Sequence, residues 1–278
     1  MSWLEKGNIR LYYEDVGKGA PIITNHGLSE DCGYWSETGV TAKLAENYRV
    51  ISIDMRGHGR TVVEGEPYGY DADTMADDFD TLADELGLER FHLLTHATGG
   101  MVGVRYAMTR SDRLISLMLT DTGSATLVEM PDQEEITEQE RAARINRMLT
   151  ATVEEKMARI KTEPGPFLFK MAEHPNNEGM WKIYEGFLRR QNPKAVLDFI
   201  LSFYTDPDPR VESLRQIKCP TLILLGEFDV VFLKPSALMA REIPDARHVI
   251  LDGLGHMTAI EDPERTIKEL LNFLKTLS

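Results

Sequence analysis

The first 126 residues alternate short apolar runs with turn residues. IRLYYE at 9–14 alternates in strand fashion after Gly7-Asn8, so residues 2–15 read as a hairpin. Residues 21–25 (PIITN) and 48–53 (YRVISI) are continuous apolar runs, the pattern of strands buried on both faces. Between them, residues 35–47 have helical spacing. Residues 73–86 place Met75, Phe79, Leu82 and Leu86 on one helical face. A further buried strand is expected at 91–95, then a helix at 99–108 whose small and apolar residues suit tight packing under a sheet, then a strand at 114–120 (LISLMLT).

The rhythm changes at about residue 127. From there to 214 the spacing is helical, with helices expected at 138–149, 153–160, 178–190 and 193–204 and no convincing strand. Alternation resumes with a strand at 221–225, a helix at 234–243, a strand at 248–251 and a helix at 263–274. Alternating strands and helices predict an α/β fold: a mostly parallel, doubly wound sheet with ligands at the carboxyl ends of its strands. The expected organisation is a core of residues 1–126 and 215–278. Residues 127–214 form a helical cap inserted after the sixth strand and lying over that edge.

Composition narrows the function classes. A chain of 278 residues, 42% hydrophobic and 27% charged, can bury a full core without staples. A net charge of −14 argues against nucleic-acid binding, which needs clustered Lys and Arg. The acidic stretches at 71–89 and 129–140 read as solvated helix faces. No apolar run reaches the roughly eighteen residues of a membrane span, and Met1-Ser2-Trp3-Leu4-Glu5-Lys6 lacks the apolar region of a signal peptide, so a cytoplasmic location without membrane contact is expected. Cys32 and Cys219 match neither zinc spacing nor a disulfide framework, which fits a reducing compartment. With no Gly-rich phosphate loop and no metal-ligand spacing, no cofactor or metal is expected. The partner would be a small molecule, taken by a monomer or homodimer.

The chemistry concentrates at Leu93-Leu94-Thr95-His96-Ala97-Thr98-Gly99-Gly100, where a buried strand turns sharply into a helix. In a nucleophile elbow, G-x-S-x-G, small residues permit a strained turn that exposes the central side chain. Here Thr95 stands for the first glycine and Ala97 for the serine, and the trailing glycines remain. Alone, this pattern is equally a plain strand–helix turn. Other motifs follow the remaining strands: His26-Gly27-Leu28, with Trp35 eight residues beyond Gly27; Asp54-Met55-Arg56-Gly57-His58-Gly59; Gly226-Glu227-Phe228-Asp229; and Gly253-Leu254-Gly255-His256, before Glu261-Asp262-Pro263-Glu264.

In their order and spacing these motifs resemble the α/β-hydrolase superfamily, in its cap-containing, serine esterase- and lactonase-like branch, over nearly the whole chain. The resemblance implies His256 as general base and Asp229 as the acid that orients it, with Glu227 and Asp121 as alternatives for that acid. It implies an oxyanion hole from the backbone N–H groups of Leu28 and Thr98. His26 and Asp54 with Arg56 would organise loops, and His96, beside the nucleophile position, would serve in packing. Ala97 stands at the nucleophile position and cannot attack a carbonyl. Losing that nucleophile costs on the order of 10⁶ in kcat. Either a serine has been replaced in a working esterase or lactonase, leaving an inactive variant, or alanine is natural and the protein binds a ligand or activates water with His256. Hydrolysis of a C–C bond in a vinylogous diketone is the alternative reaction. Aromatic residues in the insertion suggest an apolar pocket for a medium-sized or aromatic ester or lactone, with Trp181, Tyr184 and Arg189 expected to contact it.

Overall fold

A computed structural model describes residues 2–130 and 136–277. Residues 131–135, within the acidic stretch at 129–140 and the first part of the expected insertion, lie outside the described residues.

The strands are β1 (Ser2–Lys6), β2 (Ile9–Gly17), β3 (Ala20–Asn25), β4 (Tyr48–Ile53), β5 (Val62–Val63), β6 (Phe91–His96), β7 (Leu114–Thr120), β8 (Thr221–Gly226) and β9 (Ala246–Leu251). They form one sheet in the order β1-β2-β4-β3-β6-β7-β8-β9, with the two-residue β5 pairing β2 at its side. β1, β2 and β4 pair antiparallel, and every pair from β4 to β9 is parallel. β6 and β8 are buried at every position, which explains their uninterrupted apolar sequences. β9 lies at the edge and is only partly buried, and its sequence mixes Arg247 and His248 with apolar residues.

From β3 the chain steps to β4 on one side, then crosses to β6 on the other. The strand order therefore reverses between β3 and β6, where doubly wound sheets bind ligands. Asn25 pairs with Thr95 and His96 with Thr120, so β3, β6 and β7 end level and their following loops meet at one edge. Apolar clusters cover both faces, one around Phe79, Tyr106 and Phe91, the other around Trp35, Leu94 and Leu270.

Local chemistry sets the helix limits. Asp71 accepts a hydrogen bond from Thr74 N and starts the helix at Ala72–Glu85. Thr137 with Glu140, and Thr152 with Glu155, form reciprocal capping boxes at Glu138–Thr150 and Val153–Thr162. One expectation needed correction. The single helix expected at 35–47 is two short ones, Gly33–Ser36 and Val40–Leu44, because Gly39 between them sits at φ 83°, outside the helical region. A helix at Gly165–Glu173 adds to the four expected between 127 and 214, and Pro166 falls in its first turn, where proline is accepted. Between β7 and β8 the described residues hold helices and loops only. Among the described residues no helix is long and apolar enough to cross a membrane.

Candidate active site

β6 leads into the helix Ala97–Arg110, and Ala97 opens that helix at φ 46°. A non-glycine residue in this left-handed region costs on the order of 1–3 kcal/mol. Ser29 (φ 60°), after β3, and Asp121 (φ 51°), after β7, are held the same way, so backbone strain gathers where these strands end. Thr122 Oγ1 donates to Ala97 O at 2.6 Å and helps hold the turn. The trailing glycine has a definite role. Gly99 N donates to His26 O at 3.0 Å, and a Cβ on Gly99 would stand 2.3 Å from that same oxygen. Gly99→Ala should therefore push the β3 loop off the elbow and destabilise the protein by about 1–3 kcal/mol. An unchanged urea midpoint would contradict this packing account.

His256 and Asp229 meet across two loops. His256 Nδ1 lies 2.9 Å from Asp229 Oδ2, with Asp229 fully buried and His256 6% exposed. Phe232 N donates to the other Asp229 oxygen at 3.3 Å. The His256 loop is held tightly. Glu261, the buried carboxylate at the end of the segment Thr258–Glu261, accepts from Gly255 N (2.6 Å) and Met257 N (3.1 Å), and burial pushes its pKa up. Gly226 leaves no room for a side chain, since a Cβ would stand 2.0 Å from Gly255 O. Phe167 and Phe232 rings flank the His256 imidazole, at centroid distances of 4.6 and 5.5 Å. With its Nδ1 bonded to a buried carboxylate, such an imidazole can accept a proton on Nε2 and return it.

The alternative acids are placed elsewhere. Asp121 accepts from Thr258 Oγ1 (2.5 Å) and Gly226 N (3.2 Å), and its other close neighbour is His96. Glu227 accepts from Gly253 N at 2.9 Å on the surface.

A cavity of about 520 Å³ opens above the elbow. Leu28, Ala97, Thr98 and His256 all line it. Thr98 belongs to the first turn of its helix, where N–H groups have no partner within the helix and are available to an anion. Helices between β7 and β8 supply the opposite wall through Phe167, Leu168, Tyr184, Ile200 and the adjoining Tyr204. Tyr204 Oη is 2.6 Å from Thr98 Oγ1, so this wall is tied to the elbow itself.

Of the three side chains expected to contact substrate, the structure brings only Tyr184 to the cavity. Trp181 is buried in the apolar cluster of its own helix and packs edge-on to Tyr184 at 6.4 Å. Arg189 is solvent-exposed and pairs with Glu154 (2.7 Å) and Glu185 (2.5 Å). Arg190 pairs with Asp31 (2.6 Å) and Glu37 (2.7 Å). No Lys or Arg is among the described residues lining this cavity. A larger groove of about 710 Å³, lined by Arg144, Arg147, Lys156 and Arg159, lies on the surface between the helices 138–150 and 153–162 and contains none of the elbow or His256 residues.

Sequence reasoning missed Glu30. It is buried, lines the cavity and accepts from Gly27 N at 2.7 Å. Its other oxygen lies 3.5 Å from His96 Nε2, while Asp121 Oδ2 lies 3.5 Å from His96 Nδ1. Thr120 Oγ1 donates to Thr95 O and so accepts from His96 Nδ1 at 3.1 Å. Tyr34 stacks on the imidazole at 4.1 Å. Burial alone would lower the His96 pKa, but Glu30 and Asp121 override it and raise it to about 9. The imidazole thus stands between two buried carboxylates directly beneath Ala97, an arrangement that favours its protonated form. Because the folded-state pKa lies above the ordinary value of 6.5, this arrangement contributes its full stability below about pH 6.5 and loses it as pH rises through about 9. Urea midpoints should fall across that interval, and a flat profile would show that His96 is not protonated.

The loop-organising residues occupy the walls. His26 Nε2 accepts from Met55 N (3.0 Å), and its Nδ1–H donates to Gly27 O (2.8 Å), joining the loops after β3 and β4. Asp54 accepts from Cys32 N and Arg60 N, both at 2.7 Å. Arg56 grips Asp78 with two bonds of 2.7 and 2.9 Å. Asp31, Cys32 and Asp54 are the one close group of metal-ligating types among the described residues, but Asp54 is occupied by backbone N–H groups, Asp31 by Arg190, and burial pushes the Cys32 thiol far up.

Known proteins resemble this chain over nearly its whole length. Over 287 residues the chain is 26% identical to a non-heme chloroperoxidase of Kitasatospora aureofaciens, spanning 97% of each. It is 28% identical over 289 residues to a proline iminopeptidase of Clostridioides difficile, spanning 95% of this chain and 94% of that one. A thermophilic esterase from Thermogutta terrifontis superposes with a TM-score of 0.72 at 27% identity, covering 97% of this chain and 94% of the other. The family model for the alpha/beta hydrolase fold matches residues 20–263, and the chain belongs to that family.

Proposed function

We propose that the cavity binds a small, uncharged, mainly apolar carboxylic ester or lactone, with its carbonyl oxygen against the N–H groups of Leu28 and Thr98 and its carbonyl carbon over Ala97. The observation that carries this reading is the 2.9 Å bond between His256 and Asp229, which orients the imidazole beside a strained elbow. Asp229 would fix the His256 tautomer and stabilise the imidazolium, and His256 would move the proton. Residues 127–214 would act as the cap that covers the substrate. The apolar lining and the absence of Lys or Arg among the described lining residues favour a substrate without a carboxylate.

In this reading Ala97 removes one step only. The chain holds the proton-transfer pair and the oxyanion donors but has no hydroxyl to form an acyl-enzyme. The test is hydrolysis of a short p-nitrophenyl ester by the Ala97→Ser protein. A gain of several orders of magnitude is expected. No gain would contradict the reading and favour a ligand-binding protein.

A further inference from the structure

Glu30 has no part in an acyl-enzyme mechanism, yet it is the one acidic side chain among the described residues lining the cavity. Its place is defined by the spot that a Cβ on Gly27 would fill. Glu30 Oε2 lies 3.0 Å from that spot and Ala97 Cβ 3.1 Å from it, so the carboxylate oxygen is within about 6 Å of the Ala97 methyl. His256 approaches from another side, its ring centroid 5.1 Å from that of His96, which faces Glu30. A carboxylate has about four acceptor sites. Here they meet one backbone N–H and one imidazole edge, which leaves capacity toward the cavity.

We propose that Glu30 and His256 together hold a water molecule over Ala97 Cβ, in the space a serine hydroxyl would take, and that this water attacks the substrate directly. This rests on the carbonyl placement proposed above. The water donates one hydrogen to Glu30 and the other to His256 Nε2. Its oxygen bonds to the carbonyl carbon as His256 takes the second proton, and the electron pair moves to the carbonyl oxygen facing Leu28 and Thr98. Collapse of that oxyanion breaks the bond to the leaving alkoxide, which receives the proton from His256. One water and one ester give one acid and one alcohol, with no covalent intermediate.

Glu30 repels the developing oxyanion in either route, but only the route that must orient a neutral water gains an acceptor from it. Glu30 therefore fits an alanine elbow better than a serine one. His96 acts through Glu30 and is a positioning residue: its ring edge, 3.5 Å from Glu30 Oε1, aims the carboxylate.

The experiment compares Glu30→Gln in two backgrounds, with p-nitrophenyl acetate as the probe. In the Ala97 chain, turnover above buffer is expected, without an acyl adduct by mass spectrometry, and Glu30→Gln should lower it by at least about tenfold. In the Ala97→Ser chain the same substitution should cost far less, because the hydroxyl supplies the nucleophile. Retained serine turnover also shows that the Gln variant folds. Equal losses in both backgrounds would make Glu30 a structural support and overturn the proposal, as would no turnover by the Ala97 chain. If Ala97→Ser brings no gain, the acyl-enzyme reading fails separately. The Glu30→Gln loss in the Ala97 chain, measured where circular dichroism shows both proteins fully folded, then still decides the role of Glu30.

Discussion

Ala97→Ser is expected to raise ester hydrolysis by at least about 10³, within the roughly 10⁶ that removing the nucleophile costs a serine hydrolase. The proposed site has the other groups such a serine would need. The elbow already holds residue 97 at φ 46°, so a serine there would meet the same backbone that now carries alanine. His256 lines the same cavity, and Asp229 bonds its Nδ1 at 2.9 Å, which leaves Nε2 for the hydroxyl. The proposed oxyanion donors, the backbone N–H groups of Leu28 and Thr98, would not depend on the side chain at 97. Adding His256→Ala to Ala97→Ser should abolish the gain and leave a rate no higher than that of the unsubstituted chain, because an unassisted hydroxyl is a weak nucleophile. A Ser-bearing protein that stayed fast without His256 would place the chemistry elsewhere.

The second large effect concerns stability. His96→Leu should destabilise the fold by about 3–5 kcal/mol, the cost of leaving buried charge without its partner. His96 lies 3.5 Å from both Glu30 and Asp121, all three are buried, and leucine offers neither carboxylate a hydrogen. Adding Glu30→Gln to His96→Leu should recover part of the loss, since one uncompensated charge is then removed. Chemical denaturation of the four proteins in this cycle measures the coupling. Additive losses would mean that the pair does not interact and that His96 is neutral in the folded state.

The same contacts explain what could be read from sequence. β3, β6, β7 and β8 were legible because strands buried on both faces are written as continuous apolar runs. His256 and Asp229 were legible as candidates because each follows a glycine that the packing requires: a Cβ on Gly226 would stand 2.0 Å from Gly255 O, and one on Gly255 2.8 Å from Lys170 Cβ. Ala97 was legible from Gly99, whose absent side chain admits His26 O.

Glu30 was not legible. A single glutamate in a loop reads as solvated, and its burial is fixed by Gly27 N and by His96, partners visible only in three dimensions. The choice among cap residues failed for a related reason. Helical spacing shows which residues of 178–190 share a face but not which partner that face meets, so Tyr184 reaches the cavity while Trp181 turns to a neighbouring cluster and Arg189 to Glu154 and Glu185. The broken helix at Gly39 and the additional one after Pro164 show that Gly and Pro mark a change of direction without fixing its outcome.

The most direct test of the site is the mass of the Ala97→Ser protein, acid-quenched during turnover of p-nitrophenyl acetate. The geometry of Ala97, His256 and Asp229 predicts one added acetyl group, mapped by peptide fragmentation to position 97 and absent from the unsubstituted chain. Turnover without that adduct, or an acetyl group mapped to another residue, would contradict the assignment of Ala97 to the nucleophile position.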